Sequence, residues 1–324
     1  MGKHERGDIE LLEKSVVRVL MGQTPLLNPI NKWFGHMLGF VNFIKKCFPG
    51  YKKVKHIGNK YDGLLGDIKI YQKSGNVEYL ELKASETPTG KGTLANISQN
   101  ALTEYCLILA AKGEEILNWS DFRKRNGFEE MVKFFINEFD YPRKFSFDEK
   151  ARFLRKKANE KNKEAIGIKK LITNLAKMDK KEYINYIRRF RINEDHLKKF
   201  IFCMLNGIHI KKDVQGFMAK TKIVDLKRSY TLVTTLYANI KNGKIIISRE
   251  QNKVGVLLDH YDNFRFSFPL ESEDKIYTYI CCYKKTHLKE ETKILGLTYL
   301  WKNIFQGIKT PCINVFLGPD YKSI

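Results

Sequence analysis

Residues 66–85 (GDIKIYQKSGNVEYLELKAS) contain two short alternating apolar runs joined by a turn, a pattern that leaves few choices of local fold. β-Branched and aromatic residues at 68–71 precede Ser-Gly-Asn at 74–76, and a second such run follows at 77–80. Small polar residues and glycine between two such runs predict a β-hairpin. The chain is therefore expected to contain an antiparallel pair of strands, the first of which starts beside Asp67.

Three charged side chains lie on this hairpin at positions that suit metal-dependent chemistry. Side chains alternate between the two faces of a strand, so Glu81 and Lys83 lie side by side while Leu82 points to the opposite, buried face. The hairpin brings Asp67 within reach of Glu81. Carboxylate oxygens are the ligands that Mg²⁺ prefers, and a lysine beside a bound water can orient it and offset developing negative charge. We therefore predict Asp67, Glu81 and Lys83 as catalytic residues, with Asp67 and Glu81 binding Mg²⁺.

These residues resemble the PD-(D/E)XK nuclease superfamily, and more narrowly its restriction endonucleases. Asp67 matches the metal-binding aspartate of the family, Glu81 its second carboxylate and Lys83 its lysine; Gly66 stands where the name-giving pattern has proline. The resemblance implies a type II restriction endonuclease, which cleaves double-stranded DNA at a short sequence with Mg²⁺. It also implies a restriction-endonuclease-like core, a homodimer on symmetric sites, and a companion DNA methyltransferase of the same system that is not a stable partner.

Other polar residues compete for places in the same site. Asp62 is a rival first carboxylate, but it lies ahead of the strand and farther from Glu81. In the resembling family an early-helix glutamate sometimes joins the metal site, which makes Glu10 and Glu13 candidates, although an exposed acid on a helix face is the more common role. Gln99 is a weaker candidate on an expected helix. A Glu-x-Lys tripeptide by itself usually marks a solvated strand edge.

The charge of the chain points to a polyanionic partner. Lys and Arg number 58 among 324 residues, against 36 Asp and Glu, which gives a net charge of +22. Such a surplus is typical of nucleic-acid-binding proteins and is also seen in ribosomal and membrane-surface proteins. Phosphate contacts are predicted after the hairpin and along the basic residues 151–200, and base contacts near the C-terminal strands. The candidate DNA-binding residues are Lys91, Arg155, Lys156, Arg188, Arg189, Arg249 and Asn252.

The order of the apolar patterns predicts an α/β (α+β) chain in three regions. Residues 1–145 are expected to form the catalytic core, with a mixed central sheet flanked by helices. Residues 146–210 are expected to form a basic helical region that contacts DNA, and residues 211–324 a β-rich region for DNA recognition. Strands are expected at 230–240, 245–248, 254–258, 264–268, 276–283 and 312–317, and helices at 8–22, 30–48, 94–105 and 297–304.

Several other classes of protein are disfavoured. The six cysteines show no CxxC spacing, which is typical of a reducing compartment rather than of a zinc site or a disulfide framework. HExxH and Walker A motifs are missing, and no run of about eighteen apolar residues suggests a membrane span. A cytoplasmic protein without a membrane partner is expected. Two alternative functions stay open: a repair, junction-resolving or modification-dependent nuclease of the same superfamily, and a non-catalytic nucleic-acid-binding protein.

Overall fold

The computed structural model describes residues 3–58, 66–86, 94–98, 108–109, 127–158, 160, 162–188, 191–208, 214–230, 233–251, 253–268, 278–300 and 312–324. The helices within them are α1 (Lys3–Leu20), α2 (Phe34–Cys47), α3 (Phe128–Asn137), α4 (Phe147–Ala158), α5 (Lys163–Arg188), α6 (Glu194–Leu205), α7 (Val214–Lys220), α8 (Ile223–Tyr230) and α9 (Val254–His260). The strands are β1 (Tyr51–His56), β2 (Ile68–Gln72), β3 (Val77–Ser85), β4 (Ala95–Ser98), β5 (Ile108–Leu109), β6 (Arg191–Ile192), β7 (Val233–Lys241), β8 (Lys244–Gln251), β9 (Tyr261–Ser267), β10 (Thr278–Lys284), β11 (His287–Leu300) and β12 (Cys312–Leu317). A 3₁₀ helix follows at Pro319–Ser323.

A mixed five-stranded sheet in the order β1-β2-β3-β7-β8 forms the centre of the fold. The predicted hairpin is confirmed, because β2 and β3 pair antiparallel with Ile68 opposite Leu80. Strand β7 pairs parallel with β3, so that Thr235 lies beside Glu81, and β8 returns antiparallel at the edge. The sheet thus combines strands from both ends of the chain.

Helices α1 and α2 cover one face of this sheet. Residues that alternate along β2 and β3, including Ile70, Leu80 and Leu82, form one buried cluster with apolar residues of both helices. Helix α2 packs closely on β8 through Gly39, where an added Cβ would lie 3.2 Å from side-chain atoms of both Ile245 and Ile247. The opposite strand positions, which include Glu81 and Lys83, therefore point away from these helices.

A second core lies on the other side of β7. Val233 and Tyr237 belong to a buried cluster that contains Phe200 and Phe202 of α6 and residues of an antiparallel sheet in the order β4-β12-β11-β10-β9. Helices α3, α4 and α5 form a separate apolar cluster. The Tyr299 hydroxyl of β11 donates a hydrogen bond of 2.5 Å to the Asp179 carboxylate of α5. Helix α5 is therefore joined to the second sheet.

The structure confirms the mixed α/β class and a mixed sheet flanked by helices. Three local expectations are wrong: residues 254–258 belong to helix α9, whereas 95–98 and 297–300 lie in strands β4 and β11. Val254 and Leu257 are both buried, and their spacing of three residues is helical. The valines of this short run favour a strand, so composition alone predicts the wrong element. The division of the chain at residues 145 and 210 stays a prediction. None of the helices in the described ranges combines the length and apolar character that a membrane crossing requires.

Candidate active site

Asp67 is fixed at the start of β2 by hydrogen bonds to both neighbouring strands. Its Oδ2 accepts the backbone N–H of Leu82 at 2.7 Å, and its own N–H donates to the Leu80 carbonyl at 2.8 Å. Its carbonyl accepts the N–H of Ile57, just after β1, at 2.8 Å. One carboxylate oxygen is therefore held against β3, beside Glu81.

Glu81 is buried on the face of β3 that turns away from α1 and α2, with only 5% of its surface exposed. The Lys83 ammonium donates a hydrogen bond to Glu81 Oε1, as the two-residue spacing predicted. Gly207, just after α6, has a φ of +66°, and a Cβ added there would lie 2.5 Å from Glu81 Oε2. Only a glycine permits the backbone after α6 to approach the carboxylate this closely.

The backbone at Gly66 explains why proline is missing before Asp67. Gly66 has a φ of +65°, and a Cβ there would lie 2.6 Å from the Leu80 carbonyl oxygen. Its N–H points to the Asn206 carbonyl at 3.3 Å. Proline has a φ near −65° and no N–H, so it fits neither the conformation nor the hydrogen bond.

Helix α1 brings Glu13 to the same site. The side chain is only 13% exposed, and its Oε2 lies 3.0 Å from Nε2 of His56. A Cβ added at Gly58 would lie 3.3 Å from Glu13 Oε2 and 3.1 Å from Asp67 Oδ1, so both carboxylates border one small space. Glu13 is thus not an exposed helix acid, whereas Glu10 is 40% exposed and pairs with Lys14.

The periodicity of α1 contains a signal that favours Glu13 over an exposed position. Ile9, Glu13, Val16 and Leu20 recur at the spacing of one helix face. Val16 and Leu20 are buried in the core under the sheet. A carboxylate at the edge of such a buried stripe is a stronger candidate than one on the opposite face.

The pKa shifts show that negative charge is concentrated in this site. Burial, followed by the Glu81 charge, raises the pKa of Glu13 to about 8. Burial raises the pKa of Asp67 well above its ordinary value, and the Glu81 and Glu13 charges add to the effect. Burial alone would lower the pKa of Lys83, but the Glu81 and Asp67 carboxylates outweigh it and the pKa rises. A proton or a bound cation would relieve this repulsion.

The carboxylates suit a small cation in number and chemistry. Mg²⁺ takes one or two protein carboxylates and completes its shell with water and substrate oxygen atoms. Asp67, immediately before β2, and Glu81, on β3, provide such a pair, with Glu13 close to Asp67. Within the described residues, no three His, Cys, Asp or Glu side chains are grouped so as to hold a metal ion among themselves. Two carboxylates fit an ion such as Mg²⁺, which keeps much of its water shell.

The candidate DNA-binding residues fall into three groups. Arg155 and Lys156 are exposed on α4, and Arg188 is the last residue of α5. Arg249 lies on β8 with its guanidinium 5.8 Å from the ring centre of Phe48, and it pairs with Leu236, whose side chain joins the core under α1 and α2. The structure therefore places Arg249 on the sheet face opposite Glu81. Lys91, Arg189 and Asn252, together with the rival residues Asp62 and Gln99, lie outside the described residues.

No protein-family model and no curated protein sequence matches this chain. The resemblance to PD-(D/E)XK nucleases therefore rests on the identity and sequence spacing of Asp67, Glu81 and Lys83.

Proposed function

We propose that this chain is a Mg²⁺-dependent nuclease that hydrolyses a phosphodiester bond at Asp67, Glu81 and Lys83. The observation that carries the proposal is the convergence of Glu13, Asp67, Glu81 and Lys83 from α1, β2 and β3 on one largely buried place. Catalytic sites commonly hold carboxylates whose pKa values are shifted by burial and by one another. A helix packed on a mixed sheet, with the two carboxylates on adjacent antiparallel strands, supports a restriction-endonuclease-like core.

Each side chain has a distinct role in this reaction. Asp67 and Glu81 would hold the cation, which when bound polarises the scissile phosphate and lowers the pKa of a coordinated water. The Leu82 N–H fixes Asp67, and the close approach of Gly207 fixes Glu81. Lys83, beside Glu81, orients the attacking water and offsets the charge that develops on the phosphate. Glu13 adds a third carboxylate next to Asp67.

The specific function we propose is that of a type II restriction endonuclease acting on double-stranded DNA as a homodimer in the cytoplasm. The net charge of +22 supports a polyanionic substrate. The chain outside the central sheet and the helices α1 and α2 is larger than cleavage alone requires, which supports a role in sequence recognition. A companion DNA methyltransferase would then protect the host DNA.

The proposal is tested by incubating the full chain with unmethylated phage DNA in Mg²⁺ or in EDTA and sequencing the ends. We expect discrete fragments with Mg²⁺ and none with EDTA. Asp67→Asn, Glu81→Gln and Lys83→Ala should each reduce the cleavage rate by roughly 100-fold or more while DNA binding in EDTA persists. Glu78→Gln is the matched control, because Glu78 lies on β3 three residues before Glu81.

The results separate the proposed function from its alternatives. Cleavage restricted to methylated or branched DNA would indicate a modification-dependent or junction-resolving nuclease with the same site. DNA binding without cleavage of any substrate would indicate a non-catalytic binding protein. Activity that survives all three substitutions would show that the reaction takes place elsewhere.

A further inference from the structure

The sheet face that carries Glu81 continues onto β1 and β2 as a row of lysines and tyrosines. Strand pairing places Lys69 opposite both Lys55 and Tyr79, and Tyr71 opposite Lys53. Tyr79 lies two residues before Glu81 on β3, so it projects from the same face. We call this surface the Lys-Tyr face; it consists of Lys53, Lys55, Lys69, Tyr71 and Tyr79.

The lysines of this face rest on aromatic rings. The Lys69 ammonium lies 4.9 Å from the ring centre of Tyr71 and 5.3 Å from that of Tyr79, and the Lys55 ammonium lies 5.8 Å from that of Tyr71. Such cation–π contacts hold the ammonium groups in place without neutralising them. Across the described ranges, no carboxylate lies within ion-pair distance of Lys53, Lys55 or Lys69. The tyrosine rings therefore position the Lys55 and Lys69 ammonium groups and leave their positive charge in place.

The pairing of Lys55 with Lys69 is unfavourable for the sheet itself. Like charges directly opposite each other on antiparallel strands destabilise the pair, and an opposite charge at one position would stabilise it. An anion bound between the two ammonium groups would offset their repulsion.

The Lys-Tyr face adjoins the site and is exposed at its β1 edge, whereas Lys69 and Tyr71 are half-buried and Tyr79 packs partly against the second core. Lys53 and Lys55 are exposed, whereas Val233 and Tyr237, on the same side of β7, are buried in the second core. Residues two apart on a strand are separated by about 7 Å, so Tyr79 lies one such step from Glu81. A polymer that leaves the site in the direction of β1 therefore crosses this face.

We propose that the Lys-Tyr face binds the backbone of the nucleic-acid strand that enters the active site, with Lys55 and Lys69 on neighbouring phosphates and Tyr71 packed against a sugar or base. The direction of this strand rests on the proposed nuclease function. Binding itself requires no catalysis, so it is measured without metal.

The test measures fluorescence anisotropy of a labelled DNA duplex and of its single strand with the full chain, in EDTA, over a series of NaCl concentrations. The variant is the double substitution Lys55→Gln with Lys69→Gln. The matched control is Lys241→Gln with Lys244→Gln, which removes the same charge from exposed positions at the β7–β8 turn. The logarithm of the binding constant falls as the logarithm of the salt concentration rises. We expect the first variant to reduce the steepness of this fall by about 2, and the control to leave it unchanged.

Folding is checked by thermal melting, and the single variant Lys55→Gln, at an exposed position, should lower the slope by about 1. The inference is overturned if the native chain does not bind DNA, or if the variant and the control lose DNA affinity equally. It is also overturned if the variant melts at a lower temperature with unchanged DNA affinity, which would indicate that the lysines and tyrosines have a purely structural role. A failed nuclease proposal is recognised separately. If only the nuclease proposal fails, the native chain binds DNA through Lys55 and Lys69 but does not cleave it. If both proposals hold, Asp67→Asn abolishes cleavage and keeps this binding.

Discussion

Glu81 is held in place by a residue that lies far from it in the sequence. Gly207 combines a positive φ with a Cβ position only 2.5 Å from the Glu81 carboxylate. The backbone after α6 thus limits where the carboxylate lies. Catalysis depends on such placement, because a displacement of about 1 Å at a reacting group can cost roughly 100-fold in rate.

Gly207→Ala should therefore reduce cleavage by roughly 100-fold, because the added methyl group displaces Glu81. The matched control is Gly243→Ala, at a φ of +71° with no atom within 4 Å of the added Cβ. Both variants should lose about 1–2 kcal/mol of stability from the left-handed backbone. Melting temperatures and cleavage rates are measured together. Equal activity in the two variants would contradict the role assigned to Gly207.

Glu13 makes the stability of the protein depend on pH. Its pKa in the folded protein is about 8, above the ordinary value of 4.5. The folded state therefore binds a proton that the unfolded state has already released. The stabilisation is complete below pH 4.5 and is lost as the pH rises through 8.

Glu13→Gln should remove this dependence, because the amide does not ionise. In EDTA, the melting temperature of the variant should exceed that of the native chain by roughly 2 °C or more above pH 8, and the difference should shrink toward pH 5. Glu138→Gln, at an exposed position after α3, is the control and should show no such trend. A difference that stays constant with pH would refute the assignment of a raised pKa to Glu13.

At the level of elements, α2 fixes the edge of the central sheet. Gly39 allows the helix to approach β8, and Ile245 and Ile247 fill the space beside it. Helix α2 also packs on α1, which carries Glu13. The packing of α2 therefore connects the edge strand to the helix that contributes to the site.

Gly39→Leu should separate α2 from β8 and lower the stability of the fold by about 1–3 kcal/mol, because the side chain overpacks a filled contact. Gly167→Leu is the control, since Gly167 lies in α5 with no atom within 4 Å of its Cβ position. It gains the same helix propensity, about 0.5–1 kcal/mol, without the clash. Urea denaturation measures both variants. A stability gain at Gly39 would show that the contact with β8 is loose.

At the level of the whole molecule, the central sheet is completed by β7 and β8, which lie far from β3 in the sequence. Strand β3 gains its parallel neighbour only after residues 86–232 have intervened, and Leu236 and Ala238 of β7 share a core with Leu80 and Leu82. Such distant pairing carries a high entropic cost before its contacts form. The part of the chain that bears the catalytic residues is thus incomplete without the C-terminal strands.

A fragment of residues 1–145 should therefore fail to fold cooperatively, because β3 would become an exposed edge strand and the core would lose β7 and β8. Circular dichroism during heating is the measurement, with the full chain as the control. A sharp two-state transition in the fragment would show that residues 1–145 are an independent domain.

Features that depend on neighbouring residues can be predicted from the sequence alone. The turn at 74–76 and the alternation around it predict the β2–β3 hairpin, and the two-residue spacing places Glu81 beside Lys83. The first two helices also follow from their apolar periodicity. These features are set by local backbone geometry, whose periods can be read directly from the sequence.

Features that join distant segments of the chain depend on its three-dimensional packing. The parallel pairing of β3 with β7, the approach of Gly207 to Glu81 and the entry of Glu13 beside Asp67 have no local signature. The short apolar run at 254–258 predicts a strand but forms α9, since such a run fits either structure until its neighbours are known. Burial among residues remote in sequence selects these arrangements, and it also shifts the pKa values that mark the site.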